Sequence, residues 1–426
     1  MNRLDGELRQ SLESLGRSMR RHLRPVSGSG RLVEVEGHSL INFAGNDYLG
    51  LSTHPDLKCA AVKAIQDSGV GAGSSRLVVG HQHVHAQAEK KFAAFKHADG
   101  ALILPTGYMA NLAVLKTLAS GRSVQQPGDL ILLDKLCHAS LIDAAQATGA
   151  RVRTYPHLDT QRLERLLASH QSRCPSQTTG DKTPCSPPTL NSEDYRRPRR
   201  FIVTDSVFSM DGDVADLRRL CELARQYDAI MVVDEAHATG VLGASGGGLC
   251  ELQSVADQVD VVVSTASKGL GGLGGIITGR AAIIETLVNH ARALIYSTAV
   301  PPAQVAVISE AVNVIRKEPW RRNRLSLLAR RLRGALADQG WPLPPTSCAT
   351  PIVPLILGDA TTALDLAAYL EDRGLLAVAI RPPTVRAGTS RVRLSLRADL
   401  EDSDLDQLLD ALAEFNQGRL PKSVAI

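Results

Sequence analysis

Apolar residues in the middle of this 426-residue chain fall in short, spaced runs. They are ALILP (101–105), LILLD (130–134), FIVTD (201–205), IMVVD (230–234) and VVVST (261–265). Each run is bounded by turn-forming residues and followed by a helix-like stretch. Continuous apolar runs suit strands covered on both faces, and their alternation with helical segments predicts a mostly parallel sheet with helices on either side. The N-terminal stretch has a different period. Leu4, Leu8, Leu12 and Leu15 share one face, which predicts an amphipathic helix over 1–24. A short β-region follows at Leu32–Phe43, and beyond about 290 helices mix with strand-like PIVPLIL (351–357) and RVRLSL (391–396). The predicted class is α/β. The predicted divisions are an N-terminal helix and β-region over 1–54, a large α/β domain over 55–285 and a smaller α+β domain over 286–426. Residues 171–199 are polar, Pro-rich and aperiodic, and read as a long surface insertion rather than a lid.

Composition narrows the classes. Hydrophobic residues make up 44% and charged residues 22%, the range of a soluble globular protein with a large core. A net charge of +4 is too mild to point to nucleic acid. The seven cysteines are scattered, odd in number and without a C-x-x-C pair, which suits a reducing cytoplasm and argues against structural zinc. The N-terminus lacks the apolar core of a signal peptide, and no run approaches a membrane span, so neither export nor a membrane is expected.

Ligands of open α/β sheets bind beyond the carboxyl ends of the strands. There the chain places Asp234-Glu235-Ala236-His237, Ala266-Ser267-Lys268-Gly269, Ser206 with Ser209 and Asp211, Thr106-Gly107-Tyr108, and His138 with Ser140. Singly, Asp234 has a helix cap as its alternative reading, and Lys268 reads more readily as a solvated loop lysine. Together they suit pyridoxal phosphate, which needs a lysine for a Schiff base, a carboxylate at the pyridine nitrogen and a phosphate cradle. Gly107-Tyr108, opening a helix over 108–119, offers backbone N–H groups to a phosphate, and Thr265 adds a hydroxyl. Two other motifs fail. The Asp-Glu-Ala-His run needs a P-loop to act as an ATPase element, and the chain has no Gly-Lys pair. The run Gly269-Leu-Gly271-Gly-Leu-Gly274 fits G-x-G-x-x-G but is followed by strand-like Gly275–Gly279 instead of a helix. His81, His83 and His85 lack a closed ligand set, so no metal is expected.

These residues sit in NFAGNDYLGLS (42–52), GVGAGSSRLVVG (69–80), DKLCHASLIDA (134–144), TDSVFSMDGD (204–213), VVDEAHATGVLG (232–243), TASKGLGGLGG (265–275), IYSTAVPP (295–302) and AIRPPTVRAGTSRVRLSL (379–396). So equipped, the chain resembles the α-oxoamine synthases, fold-type I pyridoxal-phosphate transferases, from about Arg21 to 415 apart from the insertion. The resemblance implies that Lys268 forms the Schiff base and later takes the Cα proton. Asp234 would pair with the pyridine nitrogen, and His237 and Ser209 would face the phenolic oxygen. His138 would stack on the ring and border the substrate. Gly107, Tyr108 and Thr265 would hold the phosphate, with Ser297 and Thr298 reaching the cofactor of a second subunit in a homodimer. Asn46 and Arg393 would clamp the substrate carboxylate, and Arg21 and Thr384 would touch the acyl group. The resemblance is strongest to the biotin-pathway branch, which implies L-alanine and a pimeloyl thioester, carried by coenzyme A or an acyl carrier protein, as partners. Arg386 stands where that branch often has proline, and Ser267 where some members have glycine. Sister enzymes using glycine or serine are the first alternative, and a silent subunit on the same fold is the second.

Overall fold

The computed structural model describes residues 3–16, 20–121, 128–171 and 198–419. The insertion read at 171–199 lies outside them except at its ends. By internal contacts the chain groups into two units. One is His54–Phe208 with Val214–Pro319, and the other is Met1–Thr53, Ser209–Asp213 and Trp320–Ile426.

The second unit opens with helix α1 (Arg3–Ser14) and strands β1 (Val26–Ser27), β2 (Leu32–Val35) and β3 (His38–Asn42). The helix is shorter than the predicted 1–24. Its last turn is closed from outside, because the Arg20 guanidinium donates to the Leu12 carbonyl at 2.8 and 3.2 Å.

The large unit continues with α2 (Pro55–Ser68), a π-helical turn (Arg76–Gly80), α3 (His83–Lys96), β4 (Gly100–Leu104), α4 (Gly107–Leu118), β5 (Leu130–Asp134) and α5 (Ala139–Gln146). Then come β6 (Arg151–Tyr155), α6 (Thr160–Gln171), β7 (Arg200–Asp205), α7 (Leu217–Gln226), β8 (Ala229–Asp234), α8 (Leu249–Leu252), β9 (Val261–Thr265) and β10 (Gly275–Gly279). Helices α9 (Ala281–His290), α10 (Arg292–Ile295) and α11 (Pro302–Lys317) close it. Its seven-stranded sheet has the order β4-β10-β9-β8-β7-β5-β6. Strands β6, β5, β7, β8 and β9 are mutually parallel, and β10 is antiparallel to both its neighbours. Residues Leu130–Asp134 and Val261–Thr265 are buried throughout, as strands covered on both faces require. Each apolar side chain so enclosed stabilises the fold by roughly 1.5–3 kcal/mol.

The remaining elements belong to the second unit: α12 (Trp320–Asp338), β11 (Ile352–Gly358), α13 (Ala360–Glu371), β12 (Leu375–Leu376), β13 (Val378–Ile380), β14 (Ser390–Ser395) and α14 (Asp402–Arg419). Strand β14 lies between β11 and β13, and β12 pairs in parallel with β3, Leu375 opposite Ile41. The residues read as a separate 1–54 region thus share a sheet with the C-terminal part. The division read at 286 falls at 319, because α9 packs on α4 and β10, and α11 on α2 and α3.

Candidate active site

The carboxyl ends of β5, β7, β8 and β9 carry Asp134, Asp205, Asp234 and Thr265. Register sets Asp205 directly beside Asp234. Asp234 is 5% exposed, and its oxygens accept from Ala236 N at 2.8 Å and Asn111 Nδ2 at 2.7 Å. Burial and the neighbouring Asp234 charge push the Asp205 carboxyl well above its ordinary range. The turn after β8 is fixed from behind. Glu235 is fully buried, takes a hydrogen bond from Cys250 N at 2.7 Å and pairs with Lys96. Lys96 Nζ also donates to Thr239 Oγ1 at 3.0 Å and to the Gly247 carbonyl at 2.6 Å.

Lys268 lies in the turn that follows β9, half-buried, with Nζ 2.8 Å from His237 Nε2. Two of the residues expected around the cofactor are therefore in direct contact. Thr265 sits one turn away, its hydroxyl 2.8 Å from Ser267 Oγ and 3.1 Å from the Gly274 carbonyl. Gly275 lets the backbone pass here, since a Cβ would stand 2.2 Å from the Thr106 carbonyl oxygen. Helix α4 starts at that crossing. Thr106 caps it by accepting from Met109 N at 3.1 Å, and Gly107 and Tyr108 supply first-turn N–H groups, which have no acceptor within a helix. A Cβ on Gly107 would meet the Thr265 side chain at 3.4 Å, so both flanks of the cradle converge. The Tyr108 hydroxyl donates to Asp143 on α5, which raises its pKa.

His138 caps α5. Its backbone N donates to Asp205 Oδ2 at 2.8 Å, and its Nδ1 lies 2.7 Å from Ser140 Oγ. Burial lowers its pKa from the ordinary histidine value, opposed by the Asp234 charge. Ser297 and Thr298 follow α10. Ser297 Oγ donates to the Ala293 carbonyl, while Thr298 bridges to Ser75 and Ala299 N donates to the Ser74 carbonyl at 3.0 Å.

The second unit holds the other expected residues. Arg393 on β14 is buried and donates to Asn46 Oδ1, to Ser395 Oγ at 3.0 Å and to the Ser209 carbonyl at 3.2 Å. The Tyr48 hydroxyl donates to Asn46 at 3.2 Å, and burial pushes Tyr48 up to about 12. Asn46, Arg393 and the Ser209 backbone thus form one cluster. Arg21 donates to Thr384 Oγ1 at 2.8 Å, joining the pair assigned to the acyl group, and Arg386 is exposed in the loop beyond. Sequence reasoning missed Asn111, Asp205 as a partner of Asp234, and the Lys96–Glu235 pair. The available signal for Asn111 was a polar residue one turn after Gly107 in the otherwise apolar stretch 109–115.

These residues fit pyridoxal phosphate. Both hydrogen bonds on the buried Asp234 come from neutral amides, and a buried carboxylate is costly without a cationic partner, which a protonated pyridine nitrogen provides. Among the described residues no three His, Cys, Asp or Glu side chains form a metal-binding group. His81 and His85 are engaged instead with Arg76 and with the Val300 carbonyl. No helix among the described residues is long and apolar enough to cross a membrane.

The sequence profile of the aminotransferase class I and II family matches residues 38–412, and the chain belongs to that family. Within it the chain is similar to proteins named 8-amino-7-oxononanoate synthase. That of Geobacter sulfurreducens is 39% identical over 97% of each chain, and that of Gluconacetobacter diazotrophicus is 41% identical over 97% of this chain and 98% of its own. Among solved structures, the serine palmitoyltransferase of S. paucimobilis, holding a PLP–myriocin aldimine, is 28% identical with a TM-score of 0.83 over 97% of each chain. The 8-amino-7-oxononanoate synthase of Francisella tularensis is 26% identical with a TM-score of 0.70, over 89% of this chain and 98% of its own.

Proposed function

We propose that this protein, a pyridoxal-phosphate-dependent acyltransferase, condenses L-alanine with a pimeloyl thioester to give 8-amino-7-oxononanoate, carbon dioxide and the free thiol. The observation that carries the reading is the Lys268–His237 contact beside the buried Asp234, in a chain about 40% identical, almost end to end, to proteins named for that product. Bound pyridoxal phosphate supplies an electron sink for bond breaking at the amino-acid Cα.

The chain's own residues do the rest. Asp234 would pair with the pyridine nitrogen, oriented by Ala236 N and Asn111. The first turn of α4 and Thr265 bind the phosphate. Arg393 offers a planar fork to the alanine carboxylate, with Asn46 beside it. Lys268 anchors the cofactor and then removes the Cα proton, where position counts for more than basicity. His237, 2.8 Å from Lys268 Nζ, orients that amine. His138 would stack on the ring of the bound cofactor. Arg21 and Thr384 border the acyl chain, with Arg386 beyond them.

A homodimer belongs to the reading. Leu77, Val78 and Val79 on the π-helical turn and Tyr296 after α10 are 52%, 72%, 71% and 71% exposed. The turn packs on α10, and Ser74 and Ser75 are tied to Ala299 and Thr298, so this apolar surface adjoins the residues expected to serve a second copy's phosphate.

The serine-using alternative draws support from the serine palmitoyltransferase backbones. A shared backbone does not choose the amino acid, however, and identity to the alanine-branch relatives is higher. Identification of the product by mass spectrometry, with alanine, glycine and serine offered separately, tests the proposal. Alanine is expected to be the productive amino acid.

A further inference from the structure

Ser140 has no part in the reaction as proposed and Asn111 only orients Asp234, yet together they join Asp234 to His138. Asn111 is 1% exposed on α4. Its Nδ2 donates both protons, to Asp234 Oδ2 at 2.7 Å and to Ser140 Oγ at 2.8 Å. Its Oδ1 is buried without a hydrogen-bond partner. A buried orphan acceptor costs about 1–3 kcal/mol. The reversed amide would be worse, because it would turn Oδ1 toward a carboxylate that only accepts. Ser140 Oγ accepts from Asn111 and keeps its single proton to donate, with His138 Nδ1 2.7 Å away. The Ser140 backbone N–H is aimed at the same nitrogen at 3.3 Å. Two donors converge on Nδ1, which must therefore present a lone pair.

We propose that Asn111 and Ser140 are positioning residues that hold His138 as a neutral imidazole with its proton on Nε2, leaving Nε2–H as the donor on the active-site side. A doubly protonated ring would bring an Nδ1–H against two other donors at the positive end of α5. The charged groups around the ring divide. Asp234 on β8 and Asp143 on α5 favour protonation, whereas Lys268 and burial oppose it, and Asp205 on β7 binds the His138 backbone N–H. The same Asn111 amide donates to Asp234, so one side chain orients a carboxylate on one side of the cofactor site and, through Ser140, an imidazole on the other. This rests on the pyridoxal-phosphate reading for its purpose, but the proton arrangement depends on the chain alone.

The test is long-range 1H–15N NMR of histidine-labelled protein, as holoenzyme and after removal of the cofactor, with His138 assigned from a His138→Gln sample. The expected wild-type signal is the Nε2–H tautomer in both forms, titrating below the ordinary value of about 6.5. Ser140→Ala and Asn111→Asp are expected to move the midpoint upward and mix the tautomers, while Ser140→Thr, which keeps the hydroxyl, restores the wild-type pattern. Circular dichroism checks that each variant is folded. Wild-type His138 protonated on Nδ1, or a midpoint unmoved in folded Ser140→Ala, overturns the proposal. If the protein binds no pyridoxal phosphate but His138 behaves as expected, the cofactor reading fails and this inference stands.

Discussion

Arg393 is buried beside Asn46, Ser395 and the Ser209 carbonyl, and that setting dictates what substitution does. Lysine keeps the charge but loses the planar fork that satisfies these neighbours and is proposed to meet the substrate carboxylate. Hydrogen bonds to charged groups contribute about 1.5–3 kcal/mol each, so Arg393→Lys is expected to lower kcat/KM for the amino acid by about tenfold to a hundredfold, mainly through KM. Steady-state kinetics at saturating thioester checks this. An unchanged KM would remove Arg393 from the carboxylate site. At this scale the sequence was legible only in part. Arg391 and Arg393 alternate on one strand, and nothing in RVRLSL separates them. The structure does, sending Arg391 to Asp211 and Arg393 to Asn46. Asn111 was illegible for a related reason, since one polar residue within the apolar stretch 109–115 does not name partners on α5 and β8.

Elements were read best where both faces are covered. The runs ending in Asp134, Asp205, Asp234 and Thr265 became strands within a residue of their predicted bounds. RVRTY (151–155) was missed because it is an edge strand, with Arg151, Arg153 and Thr154 exposed, and carries no apolar run. The turn after β8 depends on an ion pair distant in sequence, Lys96 at the end of α3 with Glu235. Removing one partner of a buried pair leaves an uncompensated charge and costs about 3–5 kcal/mol. Lys96→Ala is expected to lose stability on that scale in denaturant unfolding. The double change Lys96→Met with Glu235→Gln should recover a good part of it, because no buried charge is left. Equal losses in the single and double variants would show that the pair is not what holds the turn.

At the scale of the whole molecule, the grouping into units was the least legible feature, because it depends on contacts between distant segments such as β3 with β12 and α11 with α2. The homodimer is tested by sedimentation. Wild-type protein is expected at twice the chain mass of 45.6 kDa, and Val78→Asp with Val79→Asp is expected to give monomer with little turnover. A fully active wild-type monomer would exclude sites shared between subunits. The whole account is tested most directly by the product. Purified enzyme loaded with pyridoxal phosphate is given a pimeloyl thioester and alanine, glycine or serine in separate reactions, with Lys268→Ala in parallel, and the products are weighed by mass spectrometry. The account predicts 8-amino-7-oxononanoate from alanine, with release of carbon dioxide and thiol, and no product from Lys268→Ala. Turnover with serine or glycine but not alanine, or unimpaired turnover by Lys268→Ala, would contradict it.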